Sequence, residues 1–460
     1  MARSRNTELA SAIRETGWSQ QQTAARFAEV AAENGASELL GITRSHISQW
    51  VLGTQPSGRA PHILCETLSR ELRRPITPAA IGLRPESAGT NVVPEWSVDT
   101  LNELADLGRT EMERRHALTG AAYSVVGLAL PGASWWDAAP ERARSRKPVS
   151  QRSIGQTEVE SVREMAAFFS RRDQRRGGGD GRAALVAYLR TDVAEYLNGH
   201  FPSEETRCAL YTAAGELSYL SGWMAFDASQ HSAAQRYFTL AIRLAAEAGN
   251  APLEGHILRA MAHQANDLGH SAEALKLATA SLERKRYSRA SARERALLGV
   301  VHARTLAATK QRKDAMSALR RAESDLAAAD TPADEPGRVM FFTEASLAHE
   351  TACTLRDLGD LSGAQNEFIR SVRTRNAQLA TRTHSVTLGY LGAVQAQQGS
   401  IEAACATWSR ALDAMDGVQS GRARDTVVQM RRVLSPFRGR NITAVTELDT
   451  RARTVLSRIV

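Results

Sequence analysis

The heptapeptides Leu268-Gly-His-Ser-Ala-Glu-Ala274 and Leu358-Gly-Asp-Leu-Ser-Gly-Ala364 decide the fold of this 460-residue chain. In both, a glycine after a leucine is suited to end one helix, and a polar residue is suited to begin the next. The alanine that follows is small enough for two antiparallel helices to approach closely where they cross. These stretches therefore predict pairs of helices joined by tight turns.

The same pattern recurs in five windows from about residue 207 onward. The five alanines are Ala234, Ala274, Ala315, Ala364 and Ala404, at intervals of 40, 41, 49 and 40 residues. This periodicity resembles the tetratricopeptide repeat, and because its spacing exceeds the usual period of about 34 residues, the helices or loops must be longer. We therefore predict an all-α chain with a tetratricopeptide-like α-solenoid over residues 157–460.

The first 84 residues predict a separate domain of five short helices. Thr43 can cap a helix from Arg44 to Leu52, in which Ile47 and Trp50 lie three residues apart and should form the inner face. Its outer face and first turn then carry short or planar polar side chains that can hydrogen-bond base edges in the major groove of DNA. They are Arg44, Ser45, His46, Ser48 and Gln49.

This domain resembles the lambda-repressor-like (XRE) helix-turn-helix family in Gly17-Trp-Ser-Gln20 and in Thr43-Arg-Ser-His-Ile-Ser-Gln-Trp50. The resemblance implies that the second helix contacts phosphate and that the third contacts bases. The predicted DNA-binding residues are Gln20, Arg44, Ser45, His46, Gln49, Thr54 and Arg59. The connection Ala36–Ile42 is longer than the usual turn. The competing interpretation is a generic helical domain with a solvated polar face.

Residues 85–156 are predicted to connect the two domains. The stretch 84–94 has the composition of a linker, and residues 95–130 are predicted to be helical. Helix breakers predict an exposed loop over 131–156, whose basic side chains offer contact with DNA phosphate as the alternative. They are Arg142, Arg144, Arg146 and Lys147. The cluster Gly177–Gly181 lacks the GxxxxGK[ST] pattern, so we predict an interhelix turn there.

The first helix of each repeat should line the concave side of the solenoid. The predicted ligand-binding residues are Trp223, Asp227, His256, Arg259, His263, Asn266, Arg304 and Arg356. Arginine suits a carboxylate or phosphate, and Asn266 suits a peptide backbone, so the expected ligand is a short peptide or a small anionic metabolite. The alternative is that the arginines pair with Asp227, Asp267 and Asp357 and only hold the solenoid together. A metal site is disfavoured.

Composition is consistent with a nucleic-acid partner. The net charge is +8, and the four cysteines are far apart and form no zinc or disulfide pattern. The sequence shows no secretory signal and no stretch of about 20 apolar residues, which predicts a cytoplasmic protein with no membrane contact. We find no nucleophile or metal motif that predicts an enzyme, and we expect no cofactor.

The order of the two domains resembles actinobacterial regulators with an XRE domain before a tetratricopeptide domain, a plan shared with the peptide-sensing RRNPP type. The stretches that carry this likeness are Val162-Arg-Glu-Met165, Arg175-Arg-Gly-Gly-Gly179, Leu220-Ser-Gly-Trp-Met-Ala225 and Gln235-Arg-Tyr-Phe238. The resemblance implies transcriptional control, often repression. We expect a homodimer on an inverted-repeat operator. The alternative function is a tetratricopeptide adaptor that acts through protein contacts and makes little use of DNA.

Overall fold

The chain is all-α, as predicted. A computed structural model describes residues 4–84, 96, 98–112, 123–329, 335–440 and 443–458, and over these residues it holds helices and no β-strand. The predicted linker at 84–94 lies almost wholly outside the described residues. No helix in the described ranges is long and apolar enough to cross a membrane.

Four α-helices and two short 3-10 turns form the first domain. They are α1 (Thr7–Glu15), α2 (Gln20–Glu33), α3 (Arg44–Val51) and α4 (Ala60–Leu72), with 3-10 turns at Ser37–Leu39 and Ala79–Ile81. Ser19 caps α2 in a capping box with Gln22. Phe27 and Trp50 meet in the core with their ring centroids 5.6 Å apart, so α3 is anchored against α2.

Asn6 joins the two ends of this domain. Its Oδ1 accepts from the Leu9 amide at 2.9 Å and caps α1, while its Nδ2 donates to the Ile81 carbonyl at 2.9 Å. Its own amide donates to the Val51 carbonyl at the end of α3. One buried side chain therefore fixes α1, α3 and the last turn of the domain relative to one another.

The predictions for residues 95–156 were partly wrong. Instead of one helix to residue 130, the structure has α5 (Thr100–Met112) and a 3-10 turn at Val125–Leu128, while 113–122 lie outside the described residues. Instead of an exposed loop, the next segment forms α6 (Ala133–Arg144), although it contains Pro140. The reason is packing, since Ala139 and Ala143 are buried and α6 lies against the solenoid.

The remaining helices form the solenoid. It begins with α7 (Gln156–Arg176), α8 (Arg182–Tyr188) and α9 (Ala194–Leu197). The pairs that follow are α10 (Glu204–Asp227) with α11 (His231–Glu247), α12 (Ala251–Asp267) with α13 (Ser271–Ser281), α15 (Ala292–Ala308) with α16 (Arg312–Ala327), α17 (Glu344–Asp357) with α18 (Leu361–Thr374), α19 (Thr381–Gln397) with α20 (Ile401–Ala414), and α21 (Gly421–Leu434) with α22 (Thr443–Leu456); a short α14 (Lys285–Ser288) follows α13.

The repeat alanines lie where the pattern predicts. All five (Ala234, Ala274, Ala315, Ala364 and Ala404) are completely buried, each in the second helix of its pair. Close approach is most evident in the last of these pairs, where a Cβ on Gly392 would lie 2.4 Å from the Trp408 Nε1 atom. A small residue on one helix therefore makes room for a large one on its partner.

The solenoid closes on itself at the glycine turn that follows α7. The Gln419 amide donates to the Arg176 carbonyl at 2.6 Å, and the Gly179 amide donates to the Gln419 carbonyl at 3.0 Å. Nearby, Arg382 of α19 donates to Asp173 of α7 at 3.0 Å and to Asp227 of α10 at 2.7 Å. The first helices of the solenoid are thus bonded to its last pairs of helices. Its concave side, the inner face, is therefore enclosed.

The first domain is docked on the solenoid through buried polar contacts. Glu66 of α4 lies 2.8 Å from Nε2 of His270, which begins the turn into α13, and both side chains are buried. The Tyr123 amide donates to Asn34 Oδ1 at 2.8 Å, and its ring stacks on that of His270. These contacts set the orientation of the first domain on the solenoid.

Gly178→Ala should destabilise the protein strongly. A Cβ at this position would lie 2.1 Å from the Met224 carbonyl oxygen, which is backbone and cannot move aside cheaply. We expect a loss of at least about 3 kcal/mol of unfolding free energy, measured by urea denaturation. Gly337→Ala is the matched control, because a Cβ there meets nothing within 4 Å. Equal stabilities of the two variants would contradict the close packing at this turn.

Candidate nucleic-acid interface and inner face of the solenoid

The exposed face of α3 carries the side chains that the sequence assigns to base contacts. Arg44, Ser45, His46 and Gln49 are exposed, and Ile47, Trp50 and Val51 are buried in the core of the first domain. Seven of the eight residues of α3 thus form either a polar exposed face or an apolar buried face. The arrangement presents hydrogen-bonding groups on a rigid helix, which is what contact with base edges requires.

His46 also holds the first turn of α3 together. Its Nδ1 accepts from the Thr43 amide at 3.1 Å and lies 3.0 Å from the Thr43 hydroxyl. An Nδ1 atom that accepts a hydrogen bond carries no proton, so a neutral His46 has its N–H at Nε2. One ring nitrogen, Nδ1, therefore caps the helix, and the other, Nε2, is the hydrogen-bond donor.

Of the other three predicted DNA-binding residues, Gln20 and Thr54 are half-buried and Arg59 is buried. Gln20 is the first residue of α2, and Thr54 follows the turn that ends α3; both are half-buried. Arg59 is 9% exposed and donates to Glu38 at 2.8 Å and to the carbonyls of Asn34 and Gly35. Because its guanidinium is fully engaged inside the domain, the structure places it in the fold and away from the exposed face of α3.

Most of the predicted ligand-binding residues lie together on the inner, concave face of the solenoid, where they form ion pairs and hydrogen bonds. Arg304 is 5% exposed and donates to Asp267 at 2.8 Å. The same guanidinium lies 3.1 Å from His263 Nε2 and 3.5 Å from Glu350. Arg304 and His263 hold the pKa of the Asp267 carboxyl well below its usual range, although burial opposes this. The cluster is therefore an ion-pair network between three successive pairs of helices.

A second chain of contacts surrounds Arg259. Its guanidinium donates to the Tyr219 hydroxyl at 2.9 Å and lies 3.1 Å from His256 Nε2. His256 Nδ1 in turn lies 3.2 Å from Glu294, whose other contact is Arg338. Burial and the nearby Arg259 lower the pKa of His256 to about 3, so the imidazole is neutral at physiological pH. A neutral imidazole can accept from Arg259 while Nδ1 faces the carboxylate.

The other predicted ligand-binding residues differ in their burial and in their partners. Asp227 is fully buried between Arg382 and the Gly178 amide, and Arg356 pairs with its neighbour Asp357 at 2.8 Å. Trp223 is half-buried, and the Arg259 guanidinium lies 5.5 Å from its ring centroid. Asn266 has a buried Oδ1 with no hydrogen-bond partner among the described residues. The pairs of Arg304 with Asp267 and of Arg356 with Asp357 are among those that the sequence offered as the alternative to ligand binding, whereas Asp227 pairs with Arg382.

Sequence reasoning missed the cations that complete these networks, namely Arg338, Arg382 and Arg422. Arg338 pairs with Glu216 and Glu294, but Arg382 and Arg422 face Asp227 and Asp267. For these two a sequence signal exists, because Asp227, Asp267 and Asp357 are the last residues of α10, α12 and α17. A carboxylate at the C-terminus of a helix is disfavoured by the helix dipole. A row of such aspartates down one face therefore predicts a row of facing arginines. Among the described residues no group of three His, Cys, Asp or Glu side chains suits a metal ion.

Comparison with known proteins gives one finding. The family model described as the SP15 N-terminal domain matches residues 9–84, a range that coincides with the first helical domain. The match covers well under half of the chain. No curated protein and no solved structure matches the chain.

Arg304→Ala should destabilise the solenoid far more than Asn266→Ala does. Removing the guanidinium leaves Asp267 and Glu350 without their buried counter-charge, which costs about 3–5 kcal/mol. Asn266 is the matched control on the same inner face, because its Oδ1 accepts no bond in the described part of the chain. Thermal unfolding followed by circular dichroism measures both. If Arg304→Ala melts at the parent temperature, the network is not structural.

Proposed function

We propose that this protein is a sequence-specific DNA-binding transcription regulator, most simply a repressor, that contacts duplex DNA through its first domain. The observation that carries the proposal is the exposed polar face of α3, where Arg44, Ser45, His46 and Gln49 stand on a helix anchored by Ile47 and Trp50. Arginine suits the two acceptors of guanine, and glutamine suits the donor and acceptor of adenine.

Two further features support this role. Gln20 is the first residue of α2 and only half-buried, and its amide side chain can donate to phosphate. The net charge of +8 favours association with a polyanion. A regulator of this kind acts on chromosomal DNA, which in a bacterium means in the cytoplasm.

We also propose that a ligand modulates DNA binding. The inner face of the solenoid is poorly suited to bind that ligand. A peptide or metabolite there would have to displace the pairs that Arg304 makes with Asp267 and that Arg382 makes with Asp227. The same pairs weaken the adaptor alternative, because an adaptor needs an open concave face for its partner. An effector site would therefore lie elsewhere on the chain.

Arg44→Ala and Gln49→Ala should each weaken binding to the preferred duplex by about 1–3 kcal/mol, because each removes a base contact. The preferred site would first be selected from a random duplex library, and binding would be measured by fluorescence anisotropy. Arg320→Ala is the control, since this exposed arginine lies on α16 and leaves the first domain unchanged. Parent-like affinity of both α3 variants would refute the assignment of α3 to base contacts.

We also expect a homodimer that binds an inverted repeat with its two half-sites about one helical turn apart. One small domain contacts few bases, and two-fold pairing supplies the remaining affinity. We expect the solenoid rather than the first domain to make the dimer contact. Light scattering at micromolar concentration with the selected duplex should give two chains per duplex. One chain per duplex, with a selected site that has no symmetry, would contradict the prediction.

A further inference from the structure

A cavity of about 430 Å³ lies outside the inner face, between the end of α6 and the beginning of α10. Its walls are formed by residues 143, 144, 146–148, 197–204, 207 and 211. This volume is within the range of sites that bind small molecules. We call it the α6–α10 cavity.

Cationic side chains outnumber carboxylates among the residues that line the cavity. Four cationic side chains line it (Arg144, Arg146, Lys147 and Arg207), and Glu204 is the one carboxylate among the lining residues that the structure describes. The other carboxylates that pair with these arginines are Asp99, Glu141 and Glu247, and none of them lines the cavity. Lys147 is exposed and has no ion pair among the described residues.

The Glu204 carboxylate is an anionic group that two of these arginines already bind. Arg207 donates to it through Nε at 2.8 Å, and Arg144 donates to it through Nε at 3.1 Å. Glu204 is about half exposed, so its carboxylate can turn into solvent and leave two guanidinium groups for another anion. It also stands in the first turn of α10, a 24-residue helix whose positive end adds to the attraction.

Part of the cavity wall is apolar and aromatic, beside the polar Asn198, His200 and Ser203. Phe201 and Tyr211 meet edge to face with centroids 6.2 Å apart, and the Arg207 guanidinium lies 5.4 Å from the Tyr211 centroid. Leu197 and Pro148 complete this side. Such a wall buries a planar or apolar body, which inorganic ions lack.

We propose that the α6–α10 cavity binds a small organic anion, a carboxylate or phosphate ester that carries an aromatic or apolar body. The guanidinium groups of Arg144 and Arg207 would hold the anionic group, Lys147 would add charge at the mouth, and the half-buried Phe201, backed by the buried Tyr211, would pack on the body. The site does not depend on whether the first domain binds DNA.

Binding of fluorescent probes to the full chain tests the site. The probes are 2-naphthoate and 1-naphthyl phosphate, which separate a carboxylate from a phosphate ester, and the neutral isostere is 2-naphthamide. We expect at least one anion to bind about tenfold or more tightly than the amide, because the amide lacks the charge that the arginines recognise. Inorganic phosphate should compete only weakly, since it has no apolar body.

Lys147→Glu is the deciding variant, because Lys147 is exposed and its replacement leaves the packing of the fold intact. Placing a carboxylate at the mouth should weaken the anionic probes by about tenfold or more and leave 2-naphthamide unchanged. Lys313→Glu makes the same charge change on the exposed surface of α16 and should have no effect. Equal binding of acid and amide, or equal loss in both variants, would overturn the site. Displacement of the probe by duplex DNA alone would instead identify the surface as a phosphate-backbone contact.

Discussion

The ion pairs of Arg382 are the interaction on which the architecture depends. This arginine, Asp173 and Asp227 are all at least 96% buried, and they come from α19, α7 and α10. Burial, opposed by Arg382 and assisted by the nearby Asp227, raises the pKa of Asp173 to about 6. Because two carboxylates share one guanidinium, the Gly178 amide that donates to Asp227 at 2.8 Å supplies a necessary further partner. Only glycine at 178 lets the backbone come this close.

Closure of the solenoid determines what its inner face can do. Open repeat solenoids use their concave face to bind partners. Here the face is enclosed, and its arginines neutralise the aspartates at the ends of α10, α12 and α17. Buried charges of this kind are costly to expose singly, so the network favours one arrangement of the helices. The same property makes the solenoid a stable frame, on which the first domain is docked through Glu66 and His270.

The fold was predictable where it depends on residues that are close together in the sequence. The buried alanines, the caps of α2 and the two faces of α3 depend on residues within one or two helical turns, and the structure has all of them. The prediction failed for Ala133–Arg144, where Pro140 argues against a helix but packing on the solenoid outweighs it. Arg59 shows the same limit, because Glu38 and the carbonyls of the α2–α3 connection are not visible as its partners from the sequence. The partners of Arg382 lie 155 and 209 residues away.

The basic run after α6 illustrates how one segment can join two parts of the molecule. Arg146 donates to the Tyr211 hydroxyl at 2.8 Å on the wall of the α6–α10 cavity. The same guanidinium donates to Asp99 at 2.8 Å and to Glu247, and Glu247 accepts from Thr100, the first residue of α5. Helix α5 belongs to the connection that leads back to the first domain. An anion that draws Arg146 toward the cavity would therefore loosen the beginning of α5. A ligand changes DNA affinity only if it prefers one arrangement of the domains. In this protein, the pairs of Arg146 with Asp99 and Glu247 are the contacts through which such a preference would act.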